Sequence, residues 1–103
     1  MLALDDIPCA MMITDPEGYI VRLNREFLAL IEGDEAPWRG RSMGDLLTPA
    51  SRIFSQTHLF PMLHHAGAVR EVYLHLRGVD GETVPVMVNA FRKPLEGGEN
   101  IVW

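Results

Sequence analysis

Apolar positions in this chain change period along its length, from short runs to a helical spacing and then to alternation. An apolar run, Ala10-Met11-Met12-Ile13-Thr14, meets Asp15-Pro16-Glu17-Gly18, and a second run, Tyr19-Ile20-Val21-Arg22-Leu23, follows. Pro16 presets φ at the second turn position, and Gly18 takes backbone angles that other residues resist. The two runs are therefore predicted to pair as an antiparallel hairpin. Asn24 stands where a helical pattern begins, placed to accept a bond from a free amide of the first turn. Phe27, Leu30 and Ile31 have the i, i+3, i+4 spacing of one buried stripe, and Gly33 is expected to end that helix.

The stretch from Asp34 to Gly44 is read as loop with at most one helical turn. Asp45-Leu46-Leu47 suggests another short turn, closed before Pro49. Ser51 is expected to cap the longest helix, from about Arg52 to His65, with Ile53, Phe54, Leu59, Phe60 and Leu63 as its apolar face. Pro61 removes one helical hydrogen bond and clashes with the preceding turn, which predicts a kink or break near His58. Ala66-Gly67 stops the helix.

Val72, Leu74 and Leu76 then alternate with Glu71, Tyr73, His75 and Arg77. From Thr83 to Phe91, Val84, Val86, Val88 and Ala90 alternate with Pro85, Met87, Asn89 and Phe91. These two strand-like runs are joined by Val79-Asp80-Gly81-Glu82. Leu95-Glu96-Gly97-Gly98-Glu99 reads as a turn, and Asn100 to Trp103 as a last strand cut short. With residues 1–8 as a lead-in ended by Pro8, the expectation is one α+β domain over residues 1–103.

Composition narrows the function classes. Hydrophobic residues make up 48% and charged residues 22%, which excludes a disordered chain. The net charge is −5 with Lys and Arg scattered, a poor match for a phosphate backbone, so nucleic acid is not an expected partner. No apolar stretch approaches the roughly 20 residues of a membrane span, so no membrane contact is expected. The first residues lack the pattern of a signal peptide. The single cysteine, Cys9, allows no internal disulfide and suits a reducing cytoplasm.

Hairpin, short helices, hairpin is an order that resembles the PAS domain. The points of contact are Asp15-Pro16-Glu17-Gly18-Tyr19-Ile20, Asn24-Arg25-Glu26-Phe27, Gly40-Arg41-Ser42, Asp45-Leu46-Leu47, and Asp80-Gly81-Glu82 leading into a strand. The resemblance covers residues 9–103 and implies a five-stranded antiparallel sheet with short helices and one longer helix on one face. Arg52-Ile53-Phe54-Ser55-Gln56-Thr57-His58 with Leu63, and Val84-Pro85-Val86-Met87-Val88-Asn89, are similar to bacterial PAS modules attached to serine phosphatases, diguanylate cyclases or histidine kinases. The implied function is a cytoplasmic sensory or regulatory module of signal transduction, such as a two-component system. It senses a small ligand or relays a signal to an effector domain not present on this chain. The alternative is a ligand-free dimerisation or docking module.

Gln56, Thr57, His58, Tyr73 and Asn89 are the polar residues proposed to line a ligand pocket, since a few directed polar groups among apolar walls are the usual shape of such a site. The expectation for cofactors is none. The alternatives are haem, ligated by His58 on the long helix, and a non-covalent flavin, bonded by Asn89 or Asn24 and stacked on Trp38. The competing reading of Asn89 is a structural bond to the long helix or the loop after it. The family's photochemical cysteine has no counterpart near Met43-Gly44-Asp45. No catalytic set, Gly-rich phosphate loop or metal site is found, and the adjacent His64 and His65 point to different helix faces. Asp5-Asp6 and the carboxylates of Glu32-Gly33-Asp34-Glu35 read as solvated turns. Because the Thr83–Phe91 run is apolar on both faces, one face should be left for docking a second copy or the linked effector. Met11, Ile13, Tyr73, Met87, Phe91 and Trp103 are its candidates, but alternation alone does not say which set faces out.

Overall fold

The computed structural model describes residues 3–78, 81–95 and 98–103. Val79 and Asp80 of the second expected turn, Glu96 and Gly97 of the third, and the first two residues of the lead-in lie outside the described residues. Strands β1 (Met12–Thr14), β2 (Ile20–Leu23), β3 (Ala68–Arg77), β4 (Thr83–Leu95) and β5 (Gly98–Val102) form one sheet in the order β2-β1-β5-β4-β3. Every neighbouring pair is antiparallel. The first and last strands therefore meet at the sheet's centre, and β2 and β3 are its edges.

The first hairpin closes as its turn residues require. Asp15 Oδ1 accepts from the amides of Glu17 and Tyr19 at 3.0 and 2.9 Å, and Gly18 sits at φ +93°. Helix α1 (Arg25–Ile31) starts at Asn24, whose Oδ1 accepts from the Phe27 amide at 3.0 Å. Its buried residues are Phe27 and Ile31, with Leu28 packed beside them, while Leu30 is exposed. The helix ends one residue before the expected glycine, because Glu32 itself takes the left-handed conformation at φ 52°.

Ser51 does not cap the long helix. The cap is Thr48, whose hydroxyl accepts from the Ser51 amide at 3.4 Å, and Pro49 occupies the first turn, where a missing N–H costs nothing. Helix α2 (Pro49–Phe54), a π-helical segment (Ser55–Leu59) and helix α3 (Phe60–Ala66) run on without a break. The π segment lies just ahead of Pro61, where the ring and the absent N–H spoil the ordinary ladder, so the expected kink is realised as a wider turn. Gly67 ends the run at φ +83°.

The face this helical run turns to the core also differs from expectation. Ser51, Ser55, Leu59 and Leu63 are buried at i, i+4 spacing, whereas Ile53 and Phe54 are exposed. The two serines tolerate burial because their hydroxyls are used. Ser51 Oγ accepts from the His75 amide at 2.9 Å, and Ser55 Oγ donates to the Arg52 carbonyl at 2.7 Å. Their small size brings the helix close to strand β3, where Leu47 also bridges to Leu76.

Leu59, Leu63, Leu74, Leu76, Ala90 and Ile101 belong to one hydrophobic core between the helices and the sheet. The strand pattern is thereby oriented. Leu74 and Leu76, with their partners Val86 and Val84, face the helices, and Tyr73 and Met87 face away. Strand β4 continues past Phe91 to Leu95 and pairs there with β5, longer than its alternation indicated.

Candidate functional site

A cavity of about 350 Å³ opens where β5 ends. Its deep side is formed by buried Phe27, Met43, Leu46, Leu47, Leu74 and Leu76, and its mouth by exposed Cys9, Met87, Asn89 and Phe91. Trp103 stands at its edge. No Asp, Glu, Lys, Arg or His is among the residues lining it. The volume falls near the lower end of the about 300–1,000 Å³ common for small-molecule sites.

Trp103 is held firmly. Its indole N–H donates to Thr14 Oγ1 at 3.0 Å, and its ring meets Phe60 edge-on at 5.7 Å. Phe60 in turn lies against Gly18, where an added Cβ would come within 2.7 Å of the ring. The end of β5, the long helix and the first hairpin turn thus share one aromatic contact.

Asn24 is the other organising residue, fully buried with both side-chain ends engaged. Oδ1 accepts from the Met11 and Phe27 amides, and Nδ2 donates to the carbonyls of Leu4 and Cys9 at 3.2 and 2.8 Å. It joins the lead-in, β1 and α1. The capping role was visible in sequence; the bonds to residues up to twenty positions away were not.

The five pocket candidates are not gathered in one place. Gln56, Thr57 and His58 are exposed on the π segment and do not line the cavity. Thr57 Oγ1 bonds the Ile53 carbonyl, His58 Nδ1 lies 2.8 Å from that hydroxyl, and the His58 ring stacks on Phe54 at 5.3 Å. Tyr73 is 73% exposed on the opposite face of the sheet. Only Asn89 reaches the cavity, and its Oδ1 accepts from the Glu71 amide at 3.0 Å. That bond holds the bulge in β3, where Glu71 takes φ 55°. Asn89 therefore has a structural partner, on the neighbouring strand rather than on the helix or its loop.

The residues named for the cofactor alternatives have the following placements. His58 faces away from the cavity, so it does not present an imidazole to an iron there. Asn24 has no side-chain group left for a flavin ring, and Asn89 has given its oxygen to the backbone. Trp38 is engaged by the Arg41 guanidinium 4.4 Å above its ring. Among the described residues, no group of three or more His, Cys, Asp or Glu could hold a metal ion.

The docking candidates divide. Met87 and Phe91 are 54% and 44% exposed on the outer face, with Met11 and Ile13 half-buried. Trp103 does not join them, because it pairs with Met12 on the helix side of the sheet. Glu35 departs from the solvated-turn expectation. Burial raises its carboxyl, but the Leu23 amide at 2.8 Å, Arg22 and Arg39 outweigh that and hold it below its ordinary value. Charge spacing gave one usable signal for it, Arg39 four residues on.

This sheet order, with helices on one face and a long helix crossing to the second hairpin, is that of a sensory domain. The PAS domain family matches residues 8–103, and the chain belongs to that family. It is 31% identical over 94 residues to phosphoserine phosphatase RsbP of Bacillus subtilis, a match spanning 91% of this chain and 23% of that protein. The PAS domain of a Colwellia psychrerythraea protein superposes with a TM-score of 0.81 at 16% identity, covering 97% of this chain and 87% of that one. The PAS domain of an HTR-like protein from Haloarcula marismortui does so with a TM-score of 0.75 at 24% identity, covering 96% and 85%. No helix among the described residues is long and apolar enough to cross a membrane.

Proposed function

We propose that this PAS domain is the signal-receiving module of a bacterial, cytoplasmic signalling protein, controlling an effector domain outside these residues. The observation that carries the reading is the cavity at the end of β5, with its apolar floor and uncharged walls. A small, largely apolar molecule on that floor would touch Trp103, which follows the central strand β5. It shifts the module's state only as far as it binds one arrangement of that end better than the other. The match to only part of the longer phosphoserine phosphatase RsbP supports an effector outside these residues.

The test is an absorption spectrum of freshly purified protein, with mass spectrometry of the supernatant after denaturation. The expected outcome is a colourless protein that releases a small apolar molecule. A Soret or flavin band would overturn the apolar-ligand reading.

A second reading is favoured by the outer sheet face. Tyr73, Met87 and Phe91 present an exposed apolar patch, suited to a homodimer or to docking of the effector. A dimer that releases no ligand, and that Met87→Lys converts to a monomer, supports this reading over the first.

A further inference from the structure

The long helical run carries a second apolar stripe, on the side away from the core. Its buried residues, Ser51, Ser55, Leu59 and Leu63, recur at four-residue spacing. In a regular α-helix that spacing drifts by about 40° per step, and the wider π turn takes the drift back. The outward positions therefore stay in line as well. Ile53, Thr57 and Pro61 form one row and Phe54, His58 and Met62 the row beside it, all of them exposed.

The stripe is symmetric about its middle. There, Thr57 Oγ1 donates to the Ile53 carbonyl at 2.9 Å and lies 2.8 Å from His58 Nδ1, and the His58 ring stacks on Phe54 at 5.3 Å. Four residues to one side, Ile53 and Phe54 stand out as a knob, with Ile53 62% exposed. Four residues to the other side, Pro61 and Met62 begin a groove of about 400 Å³. It continues over His65, Ala66, Arg70 and Val72, between α3 and the edge strand β3. Knob and groove are thus equally far from the Thr57–His58 pair, in opposite directions.

Charge favours a copy of the same chain as the occupant. Between Asp45 and Glu71 the sequence has no Asp or Glu, although the net charge is −5. Arg52, the one arginine of the helical run, lies 3.9 Å from Asp45. Two such faces meet without opposed carboxylates, and a strongly charged partner would find little to pair with.

We infer that this face joins two copies of the chain across a two-fold axis at Thr57 and His58. Antiparallel runs related by that axis place Ile53 and Phe54 of each copy over Pro61 and Met62 of the other. An isologous contact makes each such fit twice. The Phe54 ring enters the groove beside Met62, where a thioether is a favourable neighbour for an aromatic edge. The polar pair at the axis fixes the register, since a slip of one turn sets it against apolar side chains. From residue 53 to residue 61 the stripe is only about 12 Å long, so the contact belongs with small, reversible interfaces. It uses none of the outer sheet face.

The test is sedimentation velocity from about 10 µM to about 1 mM, which spans the affinities of weak contacts. The expected result is a monomer that becomes a dimer as concentration rises. Ile53→Glu and Phe54→Glu, made separately, should each weaken the dimer about tenfold or more, because a charge is then buried without a partner. Met87→Lys, on the sheet face, should leave the dimer intact. In a Cys9→Ser background, Thr57→Cys should give a cross-linked dimer on mild oxidation, and Glu26→Cys on α1 should not. A chain that stays monomeric at the highest concentration overturns the inference. So does a dimer that Met87→Lys abolishes and both glutamate substitutions spare, or equal cross-linking at the two cysteine positions.

Discussion

The indole of Trp103 donates to the hydroxyl of Thr14 across 3.0 Å, linking residues 89 positions apart at the centre of the sheet. Thr14 is fully buried, so neither group has water as a substitute. Met12 and Trp103 exchange backbone bonds beside them. The residue that follows β5 is therefore anchored to the first strand by side chain and backbone together.

Thr14→Val keeps the shape of that residue and deletes the acceptor. It should cost about 1–3 kcal/mol, the penalty of an unpaired buried donor. Urea unfolding of Thr14→Val, Trp103→Phe and the double variant measures it. The double variant should lose less than the sum of the two, by about 1 kcal/mol, because the residues share one bond. Additive losses would show that the hydrogen bond contributes nothing beyond packing.

Gly18→Ala meets two obstacles, the φ of +93° and the Phe60 ring 2.7 Å from the new Cβ. The combined loss is expected to be about 2 kcal/mol or more, of which about 1–2 is backbone strain. Adding Phe60→Leu should relieve only the steric part. Thermal unfolding of the four species separates them, and complete rescue would place the whole cost in the clash.

Asn24→Asp preserves the outline and both accepted bonds but turns an oxygen toward the Leu4 and Cys9 carbonyls. A buried charge facing acceptors should cost about 2–4 kcal/mol at neutral pH. Burial among carbonyls raises the new carboxyl's pKa, so the loss should shrink as the pH falls and the group takes a proton. Denaturant midpoints at neutral and acidic pH check both the size and the slope; a loss that grows on acidification would contradict the assignment.

Glu35 sets part of the acid limit of stability. Its carboxyl is held below the ordinary value of 4.5, so the unfolded chain binds the proton more readily than the folded one. The stabilisation is present above that value and is lost as the pH falls through the lower folded pKa. Glu35→Gln should flatten stability against pH in that acidic window. An unchanged profile would mean that the Leu23, Arg22 and Arg39 contacts do not favour the ionised form.

Much of the fold was legible because local chemistry and tertiary need coincide. Asp15-Pro16-Glu17-Gly18 makes its turn from its own dihedrals and side-chain bonds. Asn24 caps α1, and the alternation from Val72 to Leu76 runs through a real strand. The long helix was misread where local rules were weighed alone. Ser51 looks like a cap and Ile53 like core, but Thr48 caps and Ser51 faces β3, since a small hydroxyl there both fits and binds the His75 amide.

The candidate site was less legible, for reasons of topology. Polarity alone groups residues of the π segment with Tyr73 of β3, but the sheet stands between Tyr73 and the helix, and His58 stacks on Phe54. Sequence periodicity alone determined that β3 and β4 alternate and that one β4 face would be surplus to the core. Only the tertiary structure decided which. The helical run packs Leu59 and Leu63 against the Leu74–Leu76 side, and β5 inserts between β1 and β4. Together these turn Met87 and Phe91 outward and Trp103 inward. Strand alternation carries no sign of its own; the sign comes from what the sheet is packed against.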